Sequence, residues 1–368
     1  MNCRIPVAKP DIGEEEIKNI TEAVRTGWVS SKGPFIGQFE KGFSNYVGVK
    51  HAIAVSNGTV ALHLALTALG IGRDDEVIVP SLTFIAAANA VTYTGATPIF
   101  VDSHPDYWCM NPEAIKGTLS DRTKAIMLVH LYGHPCEIDP ILEIARDKNL
   151  YVIEDCAEAH GAEYEGRKVG SFGDVSCFSF YGNKIITTGE GGMCLTNNEE
   201  LAEKMRILKD HGMNPKKRYW HDVVGFNYRM TNLQAAVGVA QLEKIERLVE
   251  KKREIAKTYR ELLAGTDAII HAPEMSWAKN AYWFYSILLN SKVRDKLIAH
   301  LDQEGIETRP FFYPIHTLPP YNRGLKLPVA EQLSARGLNL PSGPKITDEE
   351  IRTVASSLKK ALELLDMS

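Results

Sequence analysis

Short apolar runs alternate with amphipathic segments between residues 51 and 200, and this alternation leaves few folds open to the chain. The predicted strands are HAIAV, DEVIVP, TPIFVD, TKAIMLVH, LYVIED, VSCFSF and GGMCLT. Helical spacing occurs between them in VALHLALTALG, FIAAANAVTYTG, PILEIARDKN and EELAEKMRILKDHG, several of which end at Gly or Asn. Strands that alternate with helices predict an α/β fold with a largely parallel sheet, covered by helices on both faces.

The rest of the chain is predicted to form a smaller domain of α+β type. A long helical pattern, LQAAVGVAQLEKIERLVEKKREIAKTYRELLAG, follows Asn232 and would lead from the first domain into the second. Beyond it come the strand pattern AYWFYSILL, the helical patterns RDKLIAHLDQEG and ITDEEIRTVASSLKKALELL, and the proline-rich connector RPFFYPIHTLPPY. We therefore predict a large domain over residues 1–245, with an N-terminal arm, and a small domain over residues 246–368.

The charge balance excludes several classes of partner. Lys and Arg number 42 against 46 Asp and Glu, a net charge of -4. No overall positive field therefore exists to hold nucleic acid or an anionic membrane. No apolar run is long enough to cross a bilayer, and MNCRIPVAKPDIGEEEIKNI lacks a signal-peptide core. These features predict a cytoplasmic protein that binds neither nucleic acid nor membrane.

The six cysteines are predicted to be buried or incidental thiols in a reducing compartment, because they are scattered without a CxxC pair. A zinc site from His130, His134 and Cys136 is conceivable, but no second ligand pair has finger-like spacing. No metal site is predicted.

The segment Ser-Asn-Gly-Thr at 56–59 lies between a predicted strand and a predicted helix. Unpaired N–H groups at a helix N-terminus, together with the Thr59 hydroxyl, can hold a phosphate. The same residues also suit an ordinary turn and helix cap. The motif alone therefore leaves both interpretations open.

Asp155 ends a predicted central strand, and His160 follows five residues later. Open parallel sheets bind ligands at the carboxyl ends of their strands. Asp155 there could be a metal ligand, a general base or the counter-charge of a protonated ring nitrogen. The alternative is a carboxylate that caps the next helix.

Lys184 lies in a turn before a glycine-rich loop, five residues after Ser179 at a strand end. Such a lysine can be a surface cation, or an amine of lowered pKa that forms a Schiff base with a carbonyl cofactor. The glycines differ from a dinucleotide-binding GxGxxG because they precede a strand. A phosphate cradle, a strand-end Asp, and then Ser and Lys occur in the order that a pyridoxal-phosphate site requires.

Six segments together resemble the DegT-type nucleotide-sugar aminotransferases, which are pyridoxal-phosphate enzymes of fold type I. They are WVSSKGPFIGQFE, SNGTVALHLAL, VIVPSLTFIAAANA, EDCAEAHGA, VGSFGDVSCFSFYGNKIITTGEGG and GFNYRMTNLQAA. The resemblance spans essentially the whole chain. Within the family, RYWHDVVGFNYRMTNL and ETRPFFYPIHTLPPY are most similar to enzymes that aminate C4 of GDP-4-keto-6-deoxy-D-mannose with L-glutamate.

The resemblance implies a role for each candidate residue. Lys184 would bond to the cofactor aldehyde and carry the proton between cofactor C4′ and the substrate carbon, and Asp155 would pair with the pyridine nitrogen. Phe84 would stack on the cofactor, with His160 beside it near the phenolic oxygen. Phosphate contacts would come from Gly58, Thr59, Ser179 and, from the neighbouring subunit, Asn227. The active site would therefore need a homodimer.

Substrate contacts are expected in two segments. One is a basic and aromatic cluster that could clamp a diphosphate and stack on a base, and the other is the connector, which would face the sugar. The residues are Arg218, Tyr219, Trp220, His221, Tyr313 and His316, with exposed loop packing as the alternative. L-glutamate would convert the cofactor to pyridoxamine phosphate, which would then aminate the GDP-keto sugar, giving ping-pong kinetics.

The same fold could also carry other activities. The resemblance implies that related sugar dehydratases carry His where transaminases keep Lys, so Lys184 favours transamination. A non-enzymatic regulator is conceivable because fold alone does not determine function, but Lys184, Asp155 and Ser179 argue against it. A UDP- or dTDP-linked keto sugar, or amination at C3, remains the main alternative.

Overall fold

The computed structural model describes residues 5–289 and 293–366. Its strands, in chain order, are β1 (His51–Val55), β2 (Glu76–Pro80), β3 (Thr97–Val101), β4 (Thr123–Val129), β5 (Tyr151–Asp155), β6 (Glu163–Tyr164), β7 (Arg167–Lys168), β8 (Val175–Ser179), β9 (Gly192–Thr196), β10 (Ile269–His271), β11 (Ala278–Lys279), β12 (Tyr285–Leu289), β13 (Arg309–Pro310) and β14 (Gly337–Leu340).

The helices surround these strands. They are α1 (Glu14–Arg25), α2 (Pro34–Val47), α3 (Gly58–Ala68), α4 (Ala86–Tyr93), α5 (Pro112–Lys116), α6 (Ile138–Lys148), α7 (Glu199–Lys209), α8 (Asn232–Glu243), α9 (Ile245–Leu262), α10 (Arg294–Gln303), α11 (Pro328–Arg336) and α12 (Asp348–Asp366). Short 3₁₀ turns occur at Leu131–Gly133 and Ile315–Thr317. Within the described ranges, no helix combines the length and the apolar character that a membrane crossing needs.

A seven-stranded sheet forms the centre of the larger part of the chain, in the order β1-β9-β8-β5-β4-β2-β3. Neighbouring strands from β8 through β3 are parallel, whereas β9 is antiparallel to β1 and β8. All seven predicted strands belong to this sheet. The predicted α/β fold with a mostly parallel sheet is therefore confirmed.

Helices cover both faces of the sheet, which explains why its strands are apolar nearly throughout. Successive residues of β1 enter different cores, with Ala52 and Ala54 in one and Ile53 and Val55 in the other. The second core contains buried side chains of α3, α4 and α7. The first contains those of α2, α6 and α9 and continues into the C-terminal part of the chain. Alternation of side chains along a strand produces this division.

The C-terminal part has an antiparallel sheet of its own, in the order β10-β12-β14-β13. The long helix predicted after Asn232 is two helices, because the backbone leaves the helical region at Lys244, where φ is -112° and ψ is 11°. The Lys244 ammonium lies 2.7 Å from the Glu16 carboxylate and thereby ties this break to α1. The predicted domain boundary falls at the break, and the division into two domains stays a prediction.

Candidate active site

A cavity of about 640 Å³ opens where β5 and β8 end and α3 begins. This is the edge of a parallel sheet at which ligands are expected. The cavity brings together six residues that the sequence singled out, namely Gly58, Thr59, Phe84, Asp155, Ser179 and Lys184. They come from five separate segments of the chain, so only the fold brings them together.

The start of α3 forms a small polar cradle in this cavity. Asn57 caps the helix, because its Oδ1 accepts a hydrogen bond of 3.0 Å from the Val60 N–H. The N–H groups of Gly58 and Thr59 belong to the first turn, where an α-helix offers no acceptor of its own. A Cβ placed on Gly58 would lie 2.7 Å from the Ser179 Cβ, so glycine is needed for α3 to approach the end of β8. Asn57 can therefore cap α3 while the N–H groups of Gly58 and Thr59 remain available to a phosphate.

Asp155 lies at the end of β5 and is almost fully buried. Its Oδ1 accepts a hydrogen bond of 3.0 Å from the Ala157 N–H. No described residue donates a hydrogen bond to its Oδ2. Burial raises the pKa of Asp155, although the Ala157 N–H and the charges of Lys184 and His130 oppose that rise. A protonated ring nitrogen at Oδ2 would provide the missing partner.

Lys184 extends its amine into the same cavity. Its Nζ lies 3.5 Å from the centre of the Trp283 ring, and no carboxylate in the described ranges forms an ion pair with it. Burial lowers the pKa of Lys184, while the charges of Glu158 and Asp155 limit the decrease. A lowered pKa increases the fraction of neutral amine, the form that attacks carbonyl carbon and accepts protons.

Glu158 is a cavity residue that sequence reasoning missed. It is buried, and it accepts a hydrogen bond of 2.8 Å from the Tyr132 N–H. Burial raises the pKa of Glu158 to about 7, a rise that Lys184 opposes and Asp155 reinforces. The sequence could have indicated Glu158 by its position, three residues after Asp155 in the loop at the ligand-binding edge of the sheet. Glu158 therefore shares the cavity with Lys184, and the two charges interact.

His160 is not among the residues that line the cavity, and its expected place near the phenolic oxygen of the cofactor stays a prediction. Its ring lies among Phe43, Phe178 and Phe180, with ring centres 6.4, 5.3 and 5.6 Å away. Neither ring nitrogen has a hydrogen-bond partner of good geometry among the described residues. Burial and the Lys184 charge lower the pKa of His160 to about 3, so the ring is neutral. It contacts the cavity only through neighbours such as Phe178.

The basic and aromatic cluster lies on an exposed loop, away from the cavity of its own chain. The Lys217 ammonium is 3.6 Å from the Trp220 ring centre, and the Arg218 guanidinium is 4.9 Å from that of Tyr219. His221 Nδ1 lies 2.9 Å from the carbonyl oxygen of His211. None of the four predicted residues, Arg218, Tyr219, Trp220 and His221, is among the described residues that line the cavity. Their side chains remain exposed.

Asn227 also lies outside the cavity of its own chain. Its Oδ1 accepts hydrogen bonds from Arg229, of 3.3 Å from Nε and 3.0 Å from Nη2. The same guanidinium binds the Asp210 carboxylate at 2.7 Å. This arrangement fixes the orientation of Asn227 on a partly exposed surface.

The connector contributes a residue other than those predicted. Tyr313 is exposed and does not line the cavity, whereas Phe312 does. His316 is buried, with Nδ1 at 2.6 Å from Ser81 Oγ and Nε2 at 3.1 Å from Glu331 Oε1. Both ring nitrogens are therefore satisfied. This side chain secures the connector to the residue after β2, and its predicted contact with the sugar stays a prediction.

One group of metal-ligating side chains lies close together in the described part of the chain: His130, Glu154 and Cys156. It differs from the trio considered from the sequence. Hydrogen bonds already engage its carboxylate, because Glu154 accepts from the N–H groups of Gly170 and Phe172 at 2.7 and 2.8 Å. The Gly173 N–H and His130 Nε2 add contacts of 2.7 and 3.3 Å. This group anchors a loop behind Asp155.

The residues present fit a phosphate-bearing aldehyde cofactor. The cradle at Gly58 would receive the phosphate, and the unpartnered Asp155 oxygen would face a cationic ring nitrogen. The Asn183 Oδ1 is buried, has no hydrogen-bond partner among the residues that the structure describes, and belongs to a residue that lines the same cavity. Phe84 lines the same cavity and is 55% exposed, so its ring face is available to stack on the ring of a cofactor.

Comparisons with known proteins agree with this fit. The model of the DegT/DnrJ/EryC1/StrS aminotransferase family matches residues 10–359. Proteins named GDP-perosamine synthase from Caulobacter vibrioides and Escherichia coli O157:H7 are 50% and 49% identical to this chain, over 98% and 97% of it and 98% of each relative.

Solved structures extend the likeness to the fold. The aminotransferase TlmJ from Streptoalloteichus hindustanus is 32% identical with a TM-score of 0.94, over 98% of this chain and 100% of that one. The Streptococcus pneumoniae protein Spr1654 in its PLP form is 27% identical, also with a TM-score of 0.94, over 98% of this chain and 99% of that one.

Proposed function

The chain belongs to the DegT/DnrJ/EryC1/StrS aminotransferase family, and from this premise we propose that it transfers the amino group of L-glutamate to C4 of GDP-4-keto-6-deoxy-D-mannose, forming GDP-perosamine and 2-oxoglutarate. It is a pyridoxal-phosphate-dependent sugar aminotransferase. The observation that carries the reaction is the Lys184 amine, which lies in one cavity with the helix cradle and Asp155. The choice of sugar is supported by the names of the two relatives with about half of their residues identical.

Pyridoxal phosphate, when bound, supplies an aldehyde that takes up the amino group and a ring that acts as an electron sink. Gly58, Thr59 and Ser179 would hold its phosphate, and Asp155 would pair with its ring nitrogen. A carboxylate at that nitrogen keeps it protonated, because an opposite charge within a few ångström favours the charged form.

The amine of Lys184 carries protons in both halves of the reaction. In the first half it accepts the α-proton of L-glutamate, and in the second half it delivers a proton to C4 of the sugar. Its lowered pKa suits this exchange near neutral pH, since acid–base catalysis is most effective when the pKa approaches the working pH. The negative charges of Glu158 and Asp155 limit the decrease in the pKa of Lys184 and so favour the protonated amine.

Aromatic side chains would exclude water from the reacting atoms. Phe84 and Phe312 lie with ring centres 5.8 Å apart at the cavity wall, and Tyr93 and Trp283 line the same space. A dry site strengthens the charge interactions of Lys184 and Asp155.

We further propose that the enzyme works as a homodimer with shared active sites. Lys184 is the only basic side chain among the described residues that line the cavity, whereas the substrates bring two carboxylates and a diphosphate. This shortage of cations supports a site that is completed by basic side chains from outside the chain's own cavity. The exposed cluster at Arg218 and the Asn227–Arg229 pair could supply them from a partner.

An apolar surface supports the dimer. Ile17, Ile20 and Val24 are exposed at helical spacing on α1, and Trp28 and Val29 extend the exposed apolar surface beyond it. Such a surface is typical of an interface between copies of a chain. Burial of this surface would also bring elements near the N-terminus of one chain against the other.

The reaction is tested by single turnover of the purified protein after loading with pyridoxamine phosphate. GDP-4-keto-6-deoxymannose is offered beside UDP- and dTDP-linked keto sugars, and the absorption of the cofactor and the product mass are followed. We expect a GDP-linked amino sugar and return of the cofactor to its aldehyde form. Reaction of only a UDP- or dTDP-linked sugar would refute the perosamine assignment and leave the aminotransferase class intact.

Shared sites are tested by mixing subunits that carry Lys184→Ala with subunits that carry Asn227→Asp. If Asn227 acts across the interface, one site of each mixed dimer has both lesions and the other has neither, so each mixed dimer keeps about half of the native activity and an equal mixture with random pairing about a quarter. A mixture of Lys184→Ala with Ser179→Ala is the control, because both residues line the same cavity and every site then keeps a lesion. Failure of the first mixture to recover activity would refute sharing.

We also propose that the enzyme acts in the cytoplasm and that its product serves O-antigen assembly in lipopolysaccharide. The support is the product class, since a nucleotide-linked amino sugar is the activated form that glycosyl transfer consumes. Deletion of the coding sequence should remove the amino sugar from the polysaccharide, as measured by composition of the isolated O-antigen.

A further inference from the structure

Trp283 is fixed directly against the amine of Lys184. Its ring centre lies 3.5 Å from Nζ, and its Nε1–H donates a hydrogen bond of 2.8 Å to the carbonyl oxygen of Asn183. Asn183 immediately precedes Lys184 in the chain. The indole is therefore tied to the same turn that carries the lysine, and a movement of that turn would carry the ring with it.

The surroundings of Trp283 leave its ring little freedom. It is 5% exposed, and the rings of Tyr132 and Phe284 lie with centres 6.3 and 4.2 Å away. A Cβ on Gly133 would lie 2.8 Å from the Trp283 backbone nitrogen, so the chain at 133 approaches this backbone closely. Trp283 just precedes β12, which pairs with strands on both sides. The face that it presents to Lys184 is therefore held from several directions.

The other charged and titratable groups that act on the Lys184 amine come from β5 and the loop after it. They are Asp155, Glu158 and His160, the last a neutral ring. None of them forms an ion pair with Nζ in the described ranges, so Trp283 makes the close contact. An aromatic face attracts an ammonium group, and the attraction grows when water is excluded.

Resting on the proposed function, we propose that Trp283 is a positioning residue that holds the Lys184 amine whenever that amine is not bonded to the cofactor. In each half-reaction the amine gains a proton from one carbon, becomes an ammonium group, and then releases the proton to another carbon. The Trp283 face stabilises the ammonium form between the two transfers and keeps Nζ in the cavity. Between the two transfers, the Lys184 nitrogen uses its electron pair only to bind that proton, and it keeps the pair when the proton departs.

The test measures the proton affinity of Lys184 directly. Full-length protein in the pyridoxamine-phosphate form, in which Lys184 is free, is labelled briefly with acetic anhydride across a pH series. Mass spectrometry of the peptide that contains Lys184 gives the midpoint of labelling. The series is repeated after the cofactor is removed. Native protein is compared with Trp283→Phe and Trp283→Leu.

We expect the midpoint to fall by roughly 0.5–1.5 pH units in Trp283→Leu, because a lost cation–π contact destabilises the ammonium form. Trp283→Phe keeps an aromatic face and should give a smaller shift in the same direction. Trp277→Leu is the matched control, since Trp277 packs on Tyr107, His134 and Tyr164 and does not contact Lys184. Its midpoint should equal that of native protein.

A second readout separates positioning from substrate binding. The half-reaction of Trp283→Leu with L-glutamate should slow roughly tenfold with little change in KM. A tenfold loss is smaller than the typical full contribution of a general acid or base, because Lys184 itself is still present. Trp283→Phe should recover most of the rate. Equal midpoints in native protein and both Trp283 variants would overturn the inference, and if Trp283→Leu does not fold, an unshifted Trp283→Phe alone overturns it.

The labelling result does not depend on the activity. A midpoint shift in cofactor-free protein, found together with no binding of pyridoxamine phosphate, would support the Trp283 contact and refute the proposed function. Transamination with no midpoint shift would leave the proposed function intact and overturn the role of Trp283.

Discussion

Replacement of Gly58 by alanine tests the phosphate cradle at its tightest point. The added Cβ would lie 2.7 Å from the Ser179 Cβ, 3.1 Å from its Oγ and 3.3 Å from its Cα. Ordinary contacts between such carbon atoms begin near 3.4 Å, so α3 and the end of β8 must separate by about 0.7 Å. That displacement moves the N–H groups of the first helical turn relative to the Ser179 hydroxyl.

The expected cost follows from the bonds that the cradle would make. A hydrogen bond to a charged group contributes about 1.5–3 kcal/mol, so loss of one phosphate contact should weaken cofactor binding roughly 10- to 150-fold. We would measure it by titrating cofactor-free protein with pyridoxal phosphate and following the absorption of the bound form. Gly117→Ala is the matched control, because Gly117 ends a helix with a negative φ and a Cβ there meets nothing within 4 Å.

Two results would refute this reasoning. If Gly58→Ala binds pyridoxal phosphate as tightly as native protein, the start of α3 is not the phosphate cradle. If Gly117→Ala weakens binding equally, the loss reflects general destabilisation. Thermal unfolding of both variants without the cofactor distinguishes local displacement from loss of the fold.

Three further substitutions probe the site and its support. Lys184→Ala should abolish turnover and the covalent link to the cofactor, and multiple turnovers by this variant, followed by product mass, would contradict the assigned role. Asp155→Asn should slow proton abstraction sharply in a stopped-flow half-reaction while phosphate binding is retained, so an unchanged rate would remove Asp155 as the partner of the ring nitrogen. Glu154→Ala should cost about 3–5 kcal/mol of unfolding free energy, measured in urea, because it breaks the buried contact with His130 and leaves backbone donors unpaired. Burial raises the pKa of Glu154, but the contacts with His130 and the backbone N–H groups outweigh it, so that the pKa lies below its ordinary value of 4.5. The loss of unfolding free energy in Glu154→Ala should therefore be complete above about pH 4.5 and become smaller as the pH falls below that value.

The central sheet was predictable because its information is local. Each strand is a short apolar run, and the intervening helices have their own apolar spacing, as in DEVIVP followed by FIAAANAVTYTG. The antiparallel direction of β9 was not predictable in this way, since it depends on the turn between Ser179 and Gly192. Helices α1 and α2 were not predicted. Both pack on α8, a partner far along the chain that local sequence patterns do not reveal.

The candidate site was predictable where a residue sits at the end of a sheet strand. Asp155 and Ser179 end β5 and β8, and the edge of a parallel sheet collects such residues without detailed knowledge of the loops. His316 could not be placed this way, because a histidine in a proline-rich connector gives no sign that Ser81 and Glu331 enclose it. The cluster at Arg218 stood out by its basic and aromatic composition, but the sequence does not tell whether it lies at the cavity of its own chain. These residue roles stay predictions until the variants are measured.

The neighbouring carboxylates Glu154 and Asp155 at the end of β5 contact different parts of the structure, and this limits where the chain can be altered. Glu154 holds the backbone of residues 170–173 on one face of the sheet, while Asp155 points into the cavity on the other. Insertion into residues 170–173 would therefore disturb the active site although that loop does not line it. Insertion at the exposed Val224 would leave this network untouched, so a tag or a label placed there should not alter Asp155.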